Sequence, residues 1–375
     1  MTEINKLQTT GGHEVALTGA RGFLGWHAKV ALRESNTFAR EIPVGTNFDL
    51  KSATNAVTGV SRLIHIAGVN RATDNEVQDG NVLFAKQIAE ALRNSESPPS
   101  VIAYANSSQA GNGTVYGEAK AKAGDILASV ASELDLKYVD LRLPNLFGEH
   151  GRPFYNAVTA TFSHLLARGE APTVEHDKQL TLLHAQNAAD LLTGAASEES
   201  QSALEIKETV SGLLSRLTGF ADIYQTGEIP DITNRFDRDL FNTYRSFTFD
   251  SLTPISLARH ADNRGAFFEI IRSHGGSGQS SFSTTVPGIT RGDHFHRRKV
   301  ERFTVLAGQA TIAMRRLFTE EVHTFEVTGD TPMAIDMPTM WAHKITNTGD
   351  DLLYTSFWTN DIFDPVNPDT IAERV

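Results

Sequence analysis

The chain has 375 residues, with 45 acidic and 34 basic side chains, a net charge of −11 and no cysteine. That length exceeds one comfortable hydrophobic core, so two domains are expected. Disulfides and thiolate metal ligands are excluded. Without blocks of basic residues, nucleic acid and anionic membrane are not expected as partners.

The first 14 residues are polar and lack the apolar core of a signal peptide. No apolar run approaches the roughly 18 residues of a membrane span. A cytoplasmic location is therefore expected. Residues 15–18 read as a strand and 22–33 as a helix. A second clear strand, 63–66, precedes a helix over about 77–93. A strand at 101–105, a helix over 115–133 and a strand at 137–143 continue the alternation. Strand-helix alternation of this kind implies a doubly wound parallel sheet with right-handed crossovers. From about 197 to 253 the pattern blurs and reads as the end of the first domain plus a connection. After Pro254 short strands with Gly and Asn-Asp turns indicate an all-β barrel. The expected domains are 1–252 and 253–375.

Gly19, Gly22 and Gly25 form a Gly-x-x-Gly-x-x-Gly loop between the first strand and the first helix. Glycine lets the backbone approach a pyrophosphate, which then sits where helix amides and the macrodipole favour negative charge. Further on stands Tyr116-Gly-Glu-Ala-Lys120. On a helix, positions i and i+4 share a face, so phenol and ammonium are neighbours. A nearby Lys⁺ favours phenolate and lowers the tyrosine pKa, making Tyr116 a usable acid or base. Ser107-Ser108 ends the preceding strand, where a hydroxyl can hold a substrate carbonyl.

Residues 1 to about 250 resemble the extended short-chain dehydrogenase/reductases that act on nucleotide sugars. Thr18-Gly19-Ala20-Arg21-Gly22-Phe23-Leu24-Gly25 is similar to their cofactor loop, and His65-Ile66-Ala67-Gly68 to the strand end that faces the cofactor. Ser108, Tyr116 and Lys120 look like their catalytic Ser-Tyr-Lys set, Ser108 being the better match to the serine. Lys120 would also hold the cofactor ribose. Asn145, in Arg142-Leu-Pro-Asn-Leu-Phe-Gly148, falls in their substrate-proximal turn. Nucleotide-sugar dehydratases of this family place a carboxylate after the serine, and 109–115 contains none, which argues against dehydration. Around 44–47 there is neither the acidic residue typical for NAD nor the arginine typical for NADP. Arg21 in the loop favours NADP(H), with NAD(H) as the alternative, and Asp49 is the candidate near the adenine.

In the C-terminal part, Gly288 is followed by His294-Phe295-His296, Glu301 and Gly308, and then by Gly329, Pro338, His343 and Asn347. This matches the double metal-binding motif of cupin barrels. Two His one residue apart on a strand share a face, and Glu301 on the neighbouring strand can close the set with His343. With N and O donors only, Zn²⁺, Fe²⁺, Mn²⁺ and Ni²⁺ all suit one divalent site, and zinc is the expected ion. Asp262-Asn-Arg264-Gly-Ala-Phe-Phe-Glu269 is similar to a stretch of deoxysugar-nucleotide 3,5-epimerases, which makes Arg264 and Glu269 substrate candidates.

The combination resembles the bifunctional capsular-polysaccharide enzymes of the CapF type over nearly the whole chain. The resemblance implies a homodimer and a UDP-sugar substrate. It implies C3 epimerisation of a UDP-linked 4-keto-6-deoxy-N-acetylhexosamine in the cupin, followed by NADPH-dependent reduction of the C4 ketone. Lys299 or a metal-bound water would move the C3 proton. A single-function 4-reductase whose cupin binds substrate or holds a dimer together is the alternative.

Overall fold

The computed structural model describes residues 13–263 and 265–375. Arg264, one of the expected substrate contacts, lies outside the described residues. Two compact units divide the chain: one runs to Leu146 and includes 181–207, and the other holds 147–180 and 208–375.

In the first unit β1 (Glu14–Thr18), β2 (Phe38–Ile42), β3 (Arg62–His65), β4 (Val101–Ser107) and β5 (Lys137–Leu143) form a parallel sheet in the order β2-β1-β3-β4-β5. They alternate with α1 (Phe23–Glu34), α2 (Leu50–Val57), α3 (Asp74–Arg93) and α4 (Val115–Glu133). Successive strand residues point to opposite faces. Ala16, Leu63, Ile102 and Tyr104 accordingly pack under Val57, Ile88, Leu92 and Leu127. Val15, Leu17, Ile64 and Ala103 pack on the other face with Leu24, Leu32 and Leu191. Both faces are covered, as a parallel sheet requires. The sheet grows one way from β1 to β2 and the other way to β3, and ligands bind at the carboxyl ends of strands at such a switch. β2 (Phe-Ala-Arg-Glu-Ile) carries no clear sequence pattern, because Arg40 and Glu41 interrupt its apolar residues and only Ile42 is fully buried.

The chain continues through β6 (Asn145–Phe147), α5 (Val158–Ala167), β7 (Gln179–His184), α6 (Ala185–Thr193), α7 (Gln201–Leu204) and β8 (Ile206–Thr209). The second unit then adds α8 (Val210–Tyr224), α9 (Arg235–Arg245) and α10 (Phe249–Leu252) before the β-rich region. The strands of the β-rich region begin at Ile255, and 208–252 fall in the same compact unit as those strands. Tyr224 donates its hydroxyl proton to Asp336 at 2.9 Å, and Arg302 donates to the Gly227 carbonyl at 2.7 Å.

The remaining strands are β9 (Ile255–Ser256), β10 (Arg259–Asp262), β11 (Gly265–Phe268), β12 (Gln279–Thr285), β13 (Thr290–Phe295), β14 (Glu301–Ala307), β15 (Gln309–Arg316), β16 (Val322–Thr328), β17 (Met333–Met337), β18 (Trp341–Asn347), β19 (Leu353–Thr359) and β20 (Ile371–Ala372). Two five-stranded antiparallel sheets result, in the orders β12-β19-β14-β17-β9 and β16-β15-β18-β13-β20, with β10-β11 as a separate hairpin. Among the described residues no continuous ladder closes these sheets into the expected barrel. Phe303, Val305 and Ile335 of one sheet and Ile312, Met314, Trp341 and Ile345 of the other share one core. Hydrophobic burial of that shared core is what joins the two sheets.

Candidate functional site

The first site lies where β1 and β3 end. Thr18 stands opposite His65 in the parallel register. Its hydroxyl accepts the amides of Ile66 and Ala67, both at 3.1 Å. Its single proton is then left for Nδ1 of His65 at 2.8 Å. Burial, aided by the charge of Lys120, holds the His65 pKa down to about 3, so the ring is neutral.

This contact brings the glycine loop close to Ala67. Gly19 has φ +72°, and a Cβ there would lie 2.7 Å from the Ala67 amide nitrogen. A Cβ on Gly25 would lie 2.0 Å from the Gly19 carbonyl oxygen. Gly22, the N-cap of α1, is less confined, and no side chain caps the helix there. An uncapped helix start beside a cradle with no room for Cβ atoms fits a dinucleotide pyrophosphate. Ala67 and Gly68 follow β3 on the other side of the same crevice. Arg21 is exposed on the loop, Phe23 is half-buried, and Leu24 is spent on the core. Asp49 is exposed and caps α2, accepting the Ser52 amide at 2.8 Å.

Thr114 caps α4 by accepting the Gly117 amide at 3.1 Å, which sets the phase that places Tyr116 and Lys120 one turn apart. Lys120 is buried and donates to the Ala105 carbonyl at 2.7 Å, with its ammonium 4.2 Å from the Tyr104 ring centroid. Burial lowers its pKa to about 7, against the pull of Asp140. Tyr116 is not depressed as expected from its lysine neighbour. Burial raises it above its ordinary value, and a hydrogen bond with Ser107 works the other way. The serine that meets Tyr116 is thus Ser107, which is buried, whereas Ser108 is exposed and its amide donates to the Leu143 carbonyl at 2.9 Å. β4 ends at Ser107, and Ser108 lies exposed in the turn beyond it. Asn106 holds that turn, accepting the Ser107 amide at 2.8 Å and donating to Asp140 at 2.8 Å. Asn145 is exposed and donates to the Thr181 carbonyl at 3.1 Å.

The second site lies in the β-rich unit. His294, His296, Glu301 and His343 bring their ligand atoms within 4.8 Å of one another. His294 and His343 are directly opposed across β13 and β18. A bulge between Gly292 and His294 produces that pairing, and a Cβ on Gly292 would lie 2.7 Å from the His343 carbonyl oxygen. Bulges of this kind re-aim a side chain. His296 follows just beyond β13. Glu301 opens β14, which belongs to the other sheet and not to a strand beside β13 as expected.

His296 donates from Nδ1 to the Asp369 carbonyl at 2.6 Å, and His343 Nδ1 lies 3.1 Å from the Trp341 carbonyl. Both rings therefore present Nε2 to the centre of the cluster, the orientation that second-sphere contacts impose on metal-binding imidazoles. His296 Nε2 lies 2.9 Å from Glu301 Oε2. His343 Nε2 is buried without a hydrogen-bond partner, although the same oxygen is 3.2 Å away. Burial, then the neighbouring His343 and His296, lower the His294 pKa to about 3. Burial pushes Glu301 up, but contacts with His296 and His343 outweigh it and hold the carboxyl well below its ordinary range. Neutral imidazole with an ionised carboxylate is the donor set of a divalent metal.

Lys299 and Glu301 line a cavity of about 480 Å³, with Gln279, Thr359, Asp364 and Asp369 on its walls. Lys299 Nζ is held by the Pro368 carbonyl at 2.8 Å and the Thr370 hydroxyl at 3.2 Å. Glu269 is not among the cavity residues. It is exposed and paired with Arg272 at 2.9 Å. Asp369 and Asn242, which hold the loop between His296 and Glu301, carry no spacing pattern that sequence reading could use.

Residues 15–206 match the NAD dependent epimerase/dehydratase family, and residues 260–371 match the polysaccharide biosynthesis C-terminal domain. The chain belongs to the NAD dependent epimerase/dehydratase family. It is 30% identical over 375 residues to the UDP-2-acetamido-2,6-beta-L-arabino-hexul-4-ose reductase of Pseudomonas aeruginosa, covering 96% of this chain and 98% of that relative. The crystal structure of the capsular polysaccharide assembling protein CapF from Staphylococcus aureus is 30% identical, with a TM-score of 0.59 over 96% of this chain and 100% of that one. Likeness over both units makes the chain a CapF-type enzyme. The spore coat polysaccharide biosynthesis protein SpsL of Bacillus subtilis is 26% identical over 129 residues, 32% of this chain and 85% of that protein. Among the described residues no helix is long and apolar enough to cross a membrane.

Proposed function

We propose that this protein acts on a UDP-linked 4-keto-6-deoxy-N-acetylhexosamine in two steps, epimerising C3 in the β-rich unit and then reducing the C4 ketone in the parallel-sheet unit. The product is UDP-2-acetamido-2,6-dideoxy-L-talose, on a route to capsular or O-antigen polysaccharide. The observation that carries this reading is the presence in one chain of two sites of different chemistry: Ser107, Tyr116 and Lys120 in one, and the three-imidazole, one-carboxylate cluster in the other. The reduction agrees with the reductase activity of the Pseudomonas aeruginosa relative.

A nicotinamide cofactor, NADPH by the exposed Arg21 of the loop, would supply hydride to C4. Gly19 and Gly25 would give its pyrophosphate backbone access, and Lys120 would hold the ribose. Tyr116 protonates O4, with Ser107 orienting both the phenol and the carbonyl. Burial keeps Tyr116 in the protonated form that this role needs.

A divalent metal, zinc by its donors, would supply Lewis acidity toward the carbonyl from the His294, His296, Glu301 and His343 cluster. The C3 proton is acidic only while the C4 ketone remains, so epimerisation comes first. Lys299, on the cavity wall beside Glu301, is the chain's candidate for moving that proton. Homodimerisation and a cytoplasmic location complete the reading.

The narrower reading, a reductase whose β-rich unit only binds substrate, draws on the relative's name, which mentions reduction alone. Product analysis separates the two. The L-arabino 4-ketose with NADPH should give a product inverted at C3 and reduced at C4, and chelation of metal should restore the original C3 configuration. A product with C3 unchanged before chelation leaves only the reductase.

A further inference from the structure

The C-terminal segment packs against the metal-type cluster, and Asp369 makes most of its contacts with the loop between His296 and Glu301. Asp369 Oδ1 accepts the Arg297 amide at 3.0 Å, and Oδ2 accepts the amides of Arg298 and Lys299, both at 2.9 Å. Its main-chain carbonyl accepts Nδ1 of His296 at 2.6 Å. Three successive amides between His296 and Glu301 thus converge on one carboxylate, a concave anion-binding nest. Asn242 donates to the Arg298 carbonyl at 2.7 Å from another side of the same loop. The segment is anchored beyond this point by β20, where Ile371 and Ala372 pair with Phe295 and His294. Asp369 itself has φ +43°, a left-handed conformation that costs a non-glycine residue energy and persists only where surrounding contacts hold it.

We propose that Asp369 is a positioning residue for the metal site: its carboxylate shapes the loop from His296 to Glu301 while its carbonyl fixes the His296 ring with Nε2 toward the cluster. This rests on the reading of His294, His296, Glu301 and His343 as metal ligands. It makes the C-terminal segment part of that site, although Asp369 contributes no ligand.

The test is Zn²⁺ affinity of the full chain, measured by competition with a chromophoric chelator, together with the visible spectrum of the Co²⁺-loaded protein. Asp369→Asn keeps the shape but must turn an NH₂ toward amide donors. Asp369→Gly removes the carboxylate at a backbone angle glycine adopts freely. Both keep the main-chain carbonyl but release the loop that the carboxylate holds, and should bind Zn²⁺ at least about 10-fold more weakly than wild type, the size of loss that disturbing the shell behind metal ligands causes. The Co²⁺ spectrum should also change. On the unmutated Zn²⁺-loaded chain, nitrogen-15 NMR should find the His296 proton on Nδ1, a readout independent of how either variant folds.

Variants that bind Zn²⁺ as tightly as wild type with an unchanged Co²⁺ spectrum would overturn the inference and leave the proposed function standing. A His296 proton on Nε2 would overturn it too. A wild-type chain that takes up neither metal would overturn both.

Discussion

Arg302 and Asp336 form a two-pronged ion pair wholly out of water, with Nε to Oδ1 at 2.6 Å and Nη2 to Oδ2 at 2.9 Å. The same carboxylate accepts the Tyr224 hydroxyl, and Arg302 reaches the Gly227 carbonyl. Residues 208–252 are thereby tied to β14 and β17 within one unit. Removing one partner leaves a buried charge without compensation, so Asp336→Ala should destabilise that unit by about 3–5 kcal/mol. Denaturant unfolding of the full chain measures this. A fragment ending at residue 252 should lose α8 and α9 as stable helices, seen as a loss of far-ultraviolet circular dichroism beyond that of the deleted residues.

The glycine loop makes a graded prediction. Gly25→Ala places a methyl 2.0 Å from the Gly19 carbonyl oxygen, whereas Gly22→Ala brings it only to 3.4 Å. NADPH titration followed by fluorescence should show binding lost in Gly25→Ala and retained in Gly22→Ala. Equal loss in both would mean that the backbone of this loop does not form the cradle.

Lys120 gives a pH signature. Burial lowers its pKa to about 7, so between there and the ordinary lysine range the unfolded chain holds the proton more tightly than the native one. Stability must rise with pH across that window and fall again as pH drops toward 7. Lys120→Met should remove that slope. Thermal unfolding of cofactor-free wild type and variant at several pH values should give curves that converge at high pH apart from a constant offset. Parallel curves throughout would contradict a depressed Lys120.

Tyr116→Phe removes the proton donor but keeps the ring. NADPH oxidation should fall by about 10²–10⁴, the range for a lost general acid, while C3 proton exchange continues. If a folded Tyr116→Phe chain lost both activities, the division of labour between two sites would be wrong.

Much of this was legible in the residues. Strands β1, β3 and β4 are largely apolar because they are buried on both faces, the edge strand β5 alternates buried and exposed positions, and the four metal-type residues stand at motif spacing. The edge strand β2, with Arg40 and Glu41 among its apolar residues and only Ile42 fully buried, gave no comparable signal. Choosing between Ser107 and Ser108 needed the point at which β4 ends and the exposed turn begins. Placing Glu301 on a separate sheet needed the strand order. The stretch 197–253 reads as the end of the first domain plus a connection, because the packing of 208–252 depends on partners 56 to 112 positions away, from Asn242 on Arg298 to Tyr224 on Asp336. The tail 363–370 resembles that of the CapF-type enzymes, but the role of Asp369 within it was not legible for the same reason, since its partners are 70 to 73 residues back.

The most direct test of the two-site account is proton NMR of UDP-2-acetamido-2,6-dideoxy-4-keto-L-arabino-hexose with the enzyme in D₂O, first without NADPH. The account predicts washout of the C3 proton, abolished by a chelator and followed by reduction at C4 once NADPH is added. NADPH consumption with the C3 proton intact would contradict it and leave a reductase alone.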